Sequence, residues 1–188
     1  MDLRPQDVVV VLKIVGASSQ HWTYAELAKQ LAMSSSQVFR SVDRAEVARL
    51  LNGGTVPPPP QPPDWPKEDR LLPRWPNRAN LKELLIHGVK YVYPVTRGGL
   101  VRGIPTAYGA PPLNKLIAQS FEPPPVWPHA EGTVRGTSFS PLYKNVPEAA
   151  RRDPKLYELL ALVDTIRDGR ARESEIAIRE LTARIDAA

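Results

Sequence analysis

One helical stretch carries the residue types best suited to contact a partner. Residues 34–51 read SSSQVFRSVDRAEVARLL, with apolar residues at the helical period: Val38, Val42, Ala45, Ala48 and Leu51. Hydroxyl, amide and guanidinium groups occur between them, at Ser35, Ser36, Gln37, Arg40, Ser41 and Arg44. In a DNA major groove, Arg bridges guanine O6 and N7, Gln bridges adenine N6 and N7, and hydroxyls reach phosphates. The pattern therefore predicts a DNA-contacting helix, and an ordinary solvated surface helix is the alternative.

The composition restricts the chemistry that this chain offers. Its 188 residues are 42% hydrophobic and include no Cys, which excludes disulfides and thiolate metal ligands. The histidines His21, His87 and His129 lie in separate contexts, and the sequence has neither an HExxH motif nor a GK[ST] phosphate loop. Nothing in the sequence favours catalysis, so we predict a protein that is not an enzyme and uses no cofactor and no metal.

The charge is unevenly distributed along the chain. The net charge is +5, and residues 53–150 hold eleven Lys and Arg against seven Asp and Glu. Within this region Glu83 is the local counter-charge to six cations: Arg74, Arg78, Lys82, Lys90, Arg97 and Arg102. Such a patch favours a polyanionic partner, although moderately basic proteins without a nucleic-acid role are also common.

The N-terminal segment predicts neither a signal peptide nor a membrane span. The apolar run VVVVLKIV at residues 8–15 is interrupted by Lys13 and is too short to cross a bilayer. We therefore expect a cytoplasmic protein with no membrane partner.

Two further helices are predicted before the polar one. Pro5 and Asp7 suit the first turn of a helix over residues 3–15, although the run of valines also fits a strand. A second helix is predicted over residues 22–31, because Thr23 and Glu26 have the spacing of a capping box. A short turn at residues 32–34 then leads into the polar helix.

Residues 24–45, YAELAKQLAMSSSQVFRSVDRA, resemble the helix-turn-helix of bacterial regulators. The features that carry the resemblance are Ala28, Leu31, Met33, Ser34, Val38 and Arg40. Where that family often has Gly in the turn, this chain has Ala32. A purely structural pair of helices is the alternative, because any α domain can imitate so short a pattern.

The next segment extends this resemblance. Residues 77–87 predict a further helix, and the β-branched and aromatic run VKYVYPV, a glycine-containing turn and LVRGIPTAY predict a β-hairpin. Helices followed by a hairpin resemble winged helix-turn-helix regulators of the broad MarR-like kind. The resemblance implies homodimers with one recognition helix per half-site and a wing, here residues 89–106. It also implies that Lys90, Arg97 and Arg102 hold the DNA backbone.

The predicted fold class is mainly α with a small β-hairpin, arranged as three parts. Residues 1–108 form a winged helix-turn-helix domain with a proline-rich insertion at 53–76, which we read as a stiff spacer rather than a ligand for an SH3-like or WW-like domain. Four side chains are expected to attach this insertion to the body: Trp65, Leu71, Leu72 and Trp75. Residues 109–146 form an extended proline-containing strap that packs Trp127, Phe139 and Tyr143 onto the domain. Residues 147–188 form C-terminal helices.

The C-terminal helices leave two interpretations open. Their apolar stripe is wide and comprises Leu156, Leu159, Leu160, Leu162, Val163 and Ile166, with a continuation at Ile176, Ile178, Leu181 and Ile185. This stripe predicts either oligomerisation or capture of a second protein, or helices that fold back on their own core. The function predicted first is sequence-specific binding of double-stranded DNA by a homodimeric transcriptional regulator. The alternative is an antitoxin or adaptor subunit whose residues 153–188 bind a heterologous protein.

Overall fold

Two helices that are buried along most of their length lie at the centre of the fold. The computed structural model describes residues 2–17, 22–52, 74–117, 122–168 and 170–187. Every residue from Val8 to Leu12 of helix α1 (Pro5–Gly16) is fully buried. Helix α8 (Pro154–Asp168) packs against α1 and is buried from Leu159 to Arg167. The valine run is apolar on every side of α1 because this part of the helix is enclosed by the rest of the fold.

The N-terminal helices pack on one another as a unit. Helices α2 (Tyr24–Leu31) and α3 (Ser35–Val47) contact each other and α1. Strands β1 (Leu51–Asn52) and β2 (Trp75–Pro76) follow and pair antiparallel. Asn52 and Trp75, at the two ends of the predicted insertion, therefore lie next to each other. Most of the predicted proline-rich insertion, with Trp65, Leu71 and Leu72, lies outside the described residues.

The segment predicted as the first strand of a wing is helical instead. Helix α4 (Arg78–Glu83), a π-helical turn (Leu84–Gly88) and helix α5 (Val89–Val92) follow one another without a break. Leu81, Leu85 and Val89 are four residues apart and fully buried. Burial at this helical spacing outweighs the β propensity of the valines and tyrosines. The predicted hairpin over residues 89–106 is therefore wrong in its first strand, whereas its second strand, from Leu100, is confirmed as a strand.

The remaining strands form a closed sheet whose pairings are long-range. Strand β3 (Arg97–Pro105) pairs antiparallel with both β4 (Pro125–Pro128) and β5 (Val134–Phe139), and β4 and β5 are parallel. A 3₁₀ turn (Ala107–Gly109) and helix α6 (Leu113–Leu116) connect β3 to β4. The segment predicted as a strap thus supplies two strands, and its Trp127 and Phe139 are buried as predicted.

The C-terminal helices pack on their own chain. Helix α7 (Val146–Arg152) precedes α8, and helix α9 (Ala171–Ala187) packs along α8. All six stripe residues on α8 are buried, and α9 buries Ala177, Leu181 and Ile185 at a spacing of four. The apolar stripe therefore belongs to the core of this chain. The described residues form a mainly helical fold with a two-stranded and a three-stranded sheet, which confirms the mainly α prediction.

One strained residue gives a testable prediction about stability. Ala32 ends α2 in the left-handed region, with φ 52° and ψ 40°, where a Cβ is unfavourable and glycine is not. We expect Ala32→Gly to raise the free energy of unfolding by roughly 0.5–1 kcal/mol in a urea titration. Ala48 ends α3 with φ −76°, a conformation that alanine adopts without strain. Ala48→Gly is therefore the matched control, and it should lower the free energy of unfolding. Equal losses in both variants would show that Ala32 is not strained.

Candidate nucleic-acid interface

Reciprocal caps position the N-termini of α2 and α3. The Thr23 Oγ1 accepts the Glu26 N–H at 3.1 Å, and the Glu26 Oε2 accepts the Thr23 N–H at 2.9 Å. This is the capping box that the sequence predicts. A second box forms at α3, where the Ser34 Oγ accepts the Gln37 N–H at 3.2 Å and the Gln37 Oε1 accepts the Ser34 N–H at 2.9 Å.

The turn between α2 and α3 is held from both sides. Leu31 and Met33 of this segment are buried. The Asn145 Nδ2 donates to the Ala32 carbonyl, and this hydrogen bond connects the turn to the segment that precedes α7. The orientation of α3 relative to α2 is thus fixed by packing and by a hydrogen bond from another part of the chain.

The N-terminal half of α3 presents a mixed polar and apolar face to solvent. Ser35, Ser36 and Arg40 are exposed, and Arg40 makes no hydrogen bond or ion pair with the described residues. Phe39 is 55% exposed and makes an edge contact with Tyr24, with ring centroids 5.3 Å apart. Hydroxyls, a guanidinium and an aromatic ring are therefore available together within two helical turns.

Gln37 is engaged within its own protein. Its Oε1 accepts from Ser34, and its Nε2 donates to the Tyr143 hydroxyl at 3.3 Å. An amide with both ends occupied must break these bonds before it bridges an adenine. We therefore leave Gln37 out of the contact set and assign it to the cap.

Ser41 and Arg44 are buried, which corrects the prediction that they face outward. Ser41 is 0% exposed and Arg44 is 7% exposed. The Arg44 Nε and Nη2 donate to the two Asp7 carboxylate oxygens at 2.8 and 2.5 Å, and Nη2 also donates to the Ser41 Oγ at 3.2 Å. Hydrogen bonding to Asp7 raises the pKa of the Arg44 guanidinium above its usual value. Arg44 therefore joins α3 to α1 and does not reach a DNA groove.

The three residues predicted for the wing do not lie on one, because the hairpin is absent from the described residues. Lys90 is on α5, with its Nζ 4.9 Å from the centroid of the Tyr91 ring. Arg97 binds both Asp168 carboxylate oxygens, at 2.9 and 2.5 Å, and this hydrogen bonding raises its pKa. Arg102 donates from Nε to the Gly132 carbonyl. Arg97 is thus committed to its own protein, whereas the terminal nitrogens of Arg102 have no partner among the described residues.

Phe39 and Asp43 share the exposed face of α3 but are missing from the predicted contact set. The helical spacing alone predicts that Phe39 is exposed, because this residue falls outside the apolar stripe of Val38, Val42 and Ala45. Because aromatic residues are enriched at interfaces, the exposed Phe39 is a candidate for contact with a partner.

Several kinds of site are absent from the described residues. They contain no group of three or more His, Cys, Asp or Glu that is arranged to hold a metal ion. No helix within these residues combines the length and the apolar character that a bilayer crossing requires. Comparisons with protein-family models, with curated proteins and with solved structures found no match to this chain.

Proposed function

We propose that this chain binds double-stranded DNA by placing the first two turns of α3 in the major groove. Arg40 would bridge guanine O6 and N7, and Phe39 would contact a thymine methyl group. Ser35 and Ser36, in the first turn, would hold a phosphate together with the N–H groups of the helix N-terminus.

The observation that carries this proposal is the contrast between two arginines on one helix. Arg44 is buried against Asp7, whereas Arg40, one turn earlier, is exposed and unpaired among the described residues. The same helix thus has one guanidinium that fixes its position and another that is accessible to a partner. A helix that is held firmly while its contact residue stays accessible meets a requirement for direct readout.

Asp43 limits how deeply α3 inserts. It is exposed on the same face, two turns beyond Ser35 and Ser36. A carboxylate that faces phosphates is repelled, so the C-terminal half of the helix is expected to point away from the backbone. This geometry favours an N-terminal approach of α3 to the groove.

We also propose that this chain acts as a homodimeric regulator. The C-terminal stripe does not support dimerisation, because its apolar side chains pack inside the chain. For the same reason we do not favour the antitoxin or adaptor alternative through residues 153–188. A two-fold symmetric target with half-sites about one helical turn apart would support the homodimer.

The proposal is tested by selecting a target from a random pool of duplexes with the full chain and titrating it by fluorescence anisotropy. We expect Arg40→Ala to weaken binding by about 1–3 kcal/mol, the value of one bidentate base contact. Arg179→Ala is the matched control, because Arg179 is exposed on α9, and it should bind like the wild type. Failure to enrich any sequence, or equal affinity of both variants, would contradict the proposal.

A further inference from the structure

Two arginines lie directly opposite each other on neighbouring strands of the three-stranded sheet. Arg102 of β3 and Arg135 of β5 are register partners in the antiparallel pair. Side chains in this relation leave the same face of the sheet with Cβ atoms roughly 4.5–5.5 Å apart. Like charges placed there repel, so the arrangement lowers stability unless an anion lies between them.

Neither arginine has a carboxylate partner among the described residues. The Arg102 Nε donates to the Gly132 carbonyl, which orients the guanidinium and leaves its terminal nitrogens available. Arg135 is exposed and makes no hydrogen bond or ion pair within the described part of the chain. Arg97 on the same strand as Arg102 is different, because Asp168 neutralises it. The charge at Arg102 and Arg135 is therefore open to a ligand.

The two arginines line a concavity that is larger than a simple ion requires. Its volume is about 480 Å³, and its walls are Leu100, Val101, Arg102, Thr133, Val134 and Arg135. The concavity is shallow and open to solvent, unlike the enclosed clefts that bury most of a small-molecule ligand. Leu100 is 54% exposed and lies two residues from Arg102, so an apolar surface adjoins the charged pair.

We propose that Arg102 and Arg135 clamp one phosphate group, with Leu100 against the organic part of the molecule that carries it. Guanidinium groups suit phosphate because their planar donors bind two oxygens at once. The phosphate belongs either to a free organic phosphate or to a nucleic-acid backbone. The site lies on the sheet and not on α3, so the proposal does not depend on the DNA-binding role of that helix.

The test uses the full chain and two probes, inorganic phosphate and phenyl phosphate, with chloride at the same ionic strength as the reference. Phenyl phosphate should raise the midpoint of thermal unfolding of the wild type, because a ligand that binds the folded state stabilises it. Arg102→Gln and Arg135→Gln should each weaken binding by roughly tenfold or more, since each removes a charged hydrogen-bond donor. Arg135→Lys keeps the charge but loses the planar guanidinium. Its affinity for phenyl phosphate should therefore lie between those of the wild type and Arg135→Gln.

Two controls separate this site from a general charge effect. Arg172→Gln removes an exposed arginine of α9 and should leave phosphate binding unchanged. Arg40→Ala should also leave it unchanged, so failure of the DNA proposal does not affect this result. Without phosphate, Arg135→Gln should unfold at the wild-type temperature or above, because the repulsion between the arginines is removed and Arg135 makes no hydrogen bond with the described residues.

A salt titration with a 12-base-pair duplex identifies the source of the phosphate. If the ligand is a nucleic-acid backbone, the slope of log affinity against log salt should fall by about 1 for each arginine removed. If the ligand is a free organic phosphate, the Gln variants should keep the wild-type slope with the duplex and lose binding of phenyl phosphate. The proposal is overturned if the double variant matches the wild type with phenyl phosphate and with the duplex.

Discussion

Arg44→Ala is expected to lower the free energy of unfolding by about 3–5 kcal/mol, the usual cost of breaking a buried ion pair. The variant leaves the Asp7 carboxylate, which is 0% exposed, without the guanidinium that binds both of its oxygens. Asp7 would keep the Arg4 N–H as a donor, which does not neutralise a buried charge. Urea unfolding followed by circular dichroism measures the loss.

Arg40→Ala provides the matched control on the same helix. Because Arg40 is exposed and unpaired within the described residues, its removal should change the free energy of unfolding by less than about 0.5 kcal/mol. Replacing both partners, as in Asp7→Leu with Arg44→Met, should cost less than the sum of the single replacements. If Arg44→Ala kept wild-type stability but lost DNA affinity, Arg44 would face outward and its role in joining α3 to α1 would be wrong.

Asp164→Ala is expected to have an equally large effect, about 3–5 kcal/mol, because it also leaves a buried charge unpaired. The Asp164 carboxylate accepts from the Thr106 hydroxyl at 2.8 Å and from the Trp127 Nε1 at 2.7 Å, and pairs with Arg167 at 2.5 Å. Arg167 is 6% exposed and also donates to the Tyr93 carbonyl at 2.8 Å. This network connects the central helix α8 to the sheet and to the end of α5.

Thr106→Val is the control for that network. It removes one hydroxyl donor but preserves the ion pair of Asp164 and Arg167, so it should cost about 0.5–1.5 kcal/mol. Both variants are compared by urea unfolding followed by circular dichroism. Equal losses for Thr106→Val and Asp164→Ala would show that the charge pair contributes little to stability.

Local sequence rules account well for the caps of the helices near the candidate interface. Thr23 and Glu26 are three residues apart, so their reciprocal bonds depend on nothing outside the start of α2. The helical period likewise indicates that Val38, Val42 and Ala45 are buried, although Ala48 of the same predicted stripe is exposed. Features decided within one or two turns of helix are predictable from the sequence.

The burial of Arg44 is not predictable in this way. Arg40 and Arg44 are one helical turn apart, so the spacing alone puts them near the same face. The difference between them depends on Asp7, which lies 37 residues away in the sequence and is brought to Arg44 by the packing of α1 on α3. A charged residue is assigned to the surface by default, and only the tertiary structure shows its buried partner.

The sheet shows the same limit for strands. Gly98 and Gly99 predict the tip of a hairpin, but they lie where the register of β3 with β5 shifts between Arg97 and Leu100. A glycine inside a strand is also typical of such an irregularity. The true partners of β3 lie beyond α6, and β4 is bounded by Pro125 and Pro128, which local rules read as a strap.

The absence of Cys allows the central claim to be tested with single introduced thiols. Ser36→Cys and Ser41→Cys place a thiol on the exposed and the buried side of α3. The rate of thiol labelling is measured with and without the selected duplex. We predict that Ser36→Cys reacts quickly and is protected by the duplex, whereas Ser41→Cys reacts slowly in both conditions. Equal rates at the two positions, or no protection of Ser36→Cys by the duplex, would contradict a DNA-contacting role for the exposed face of α3.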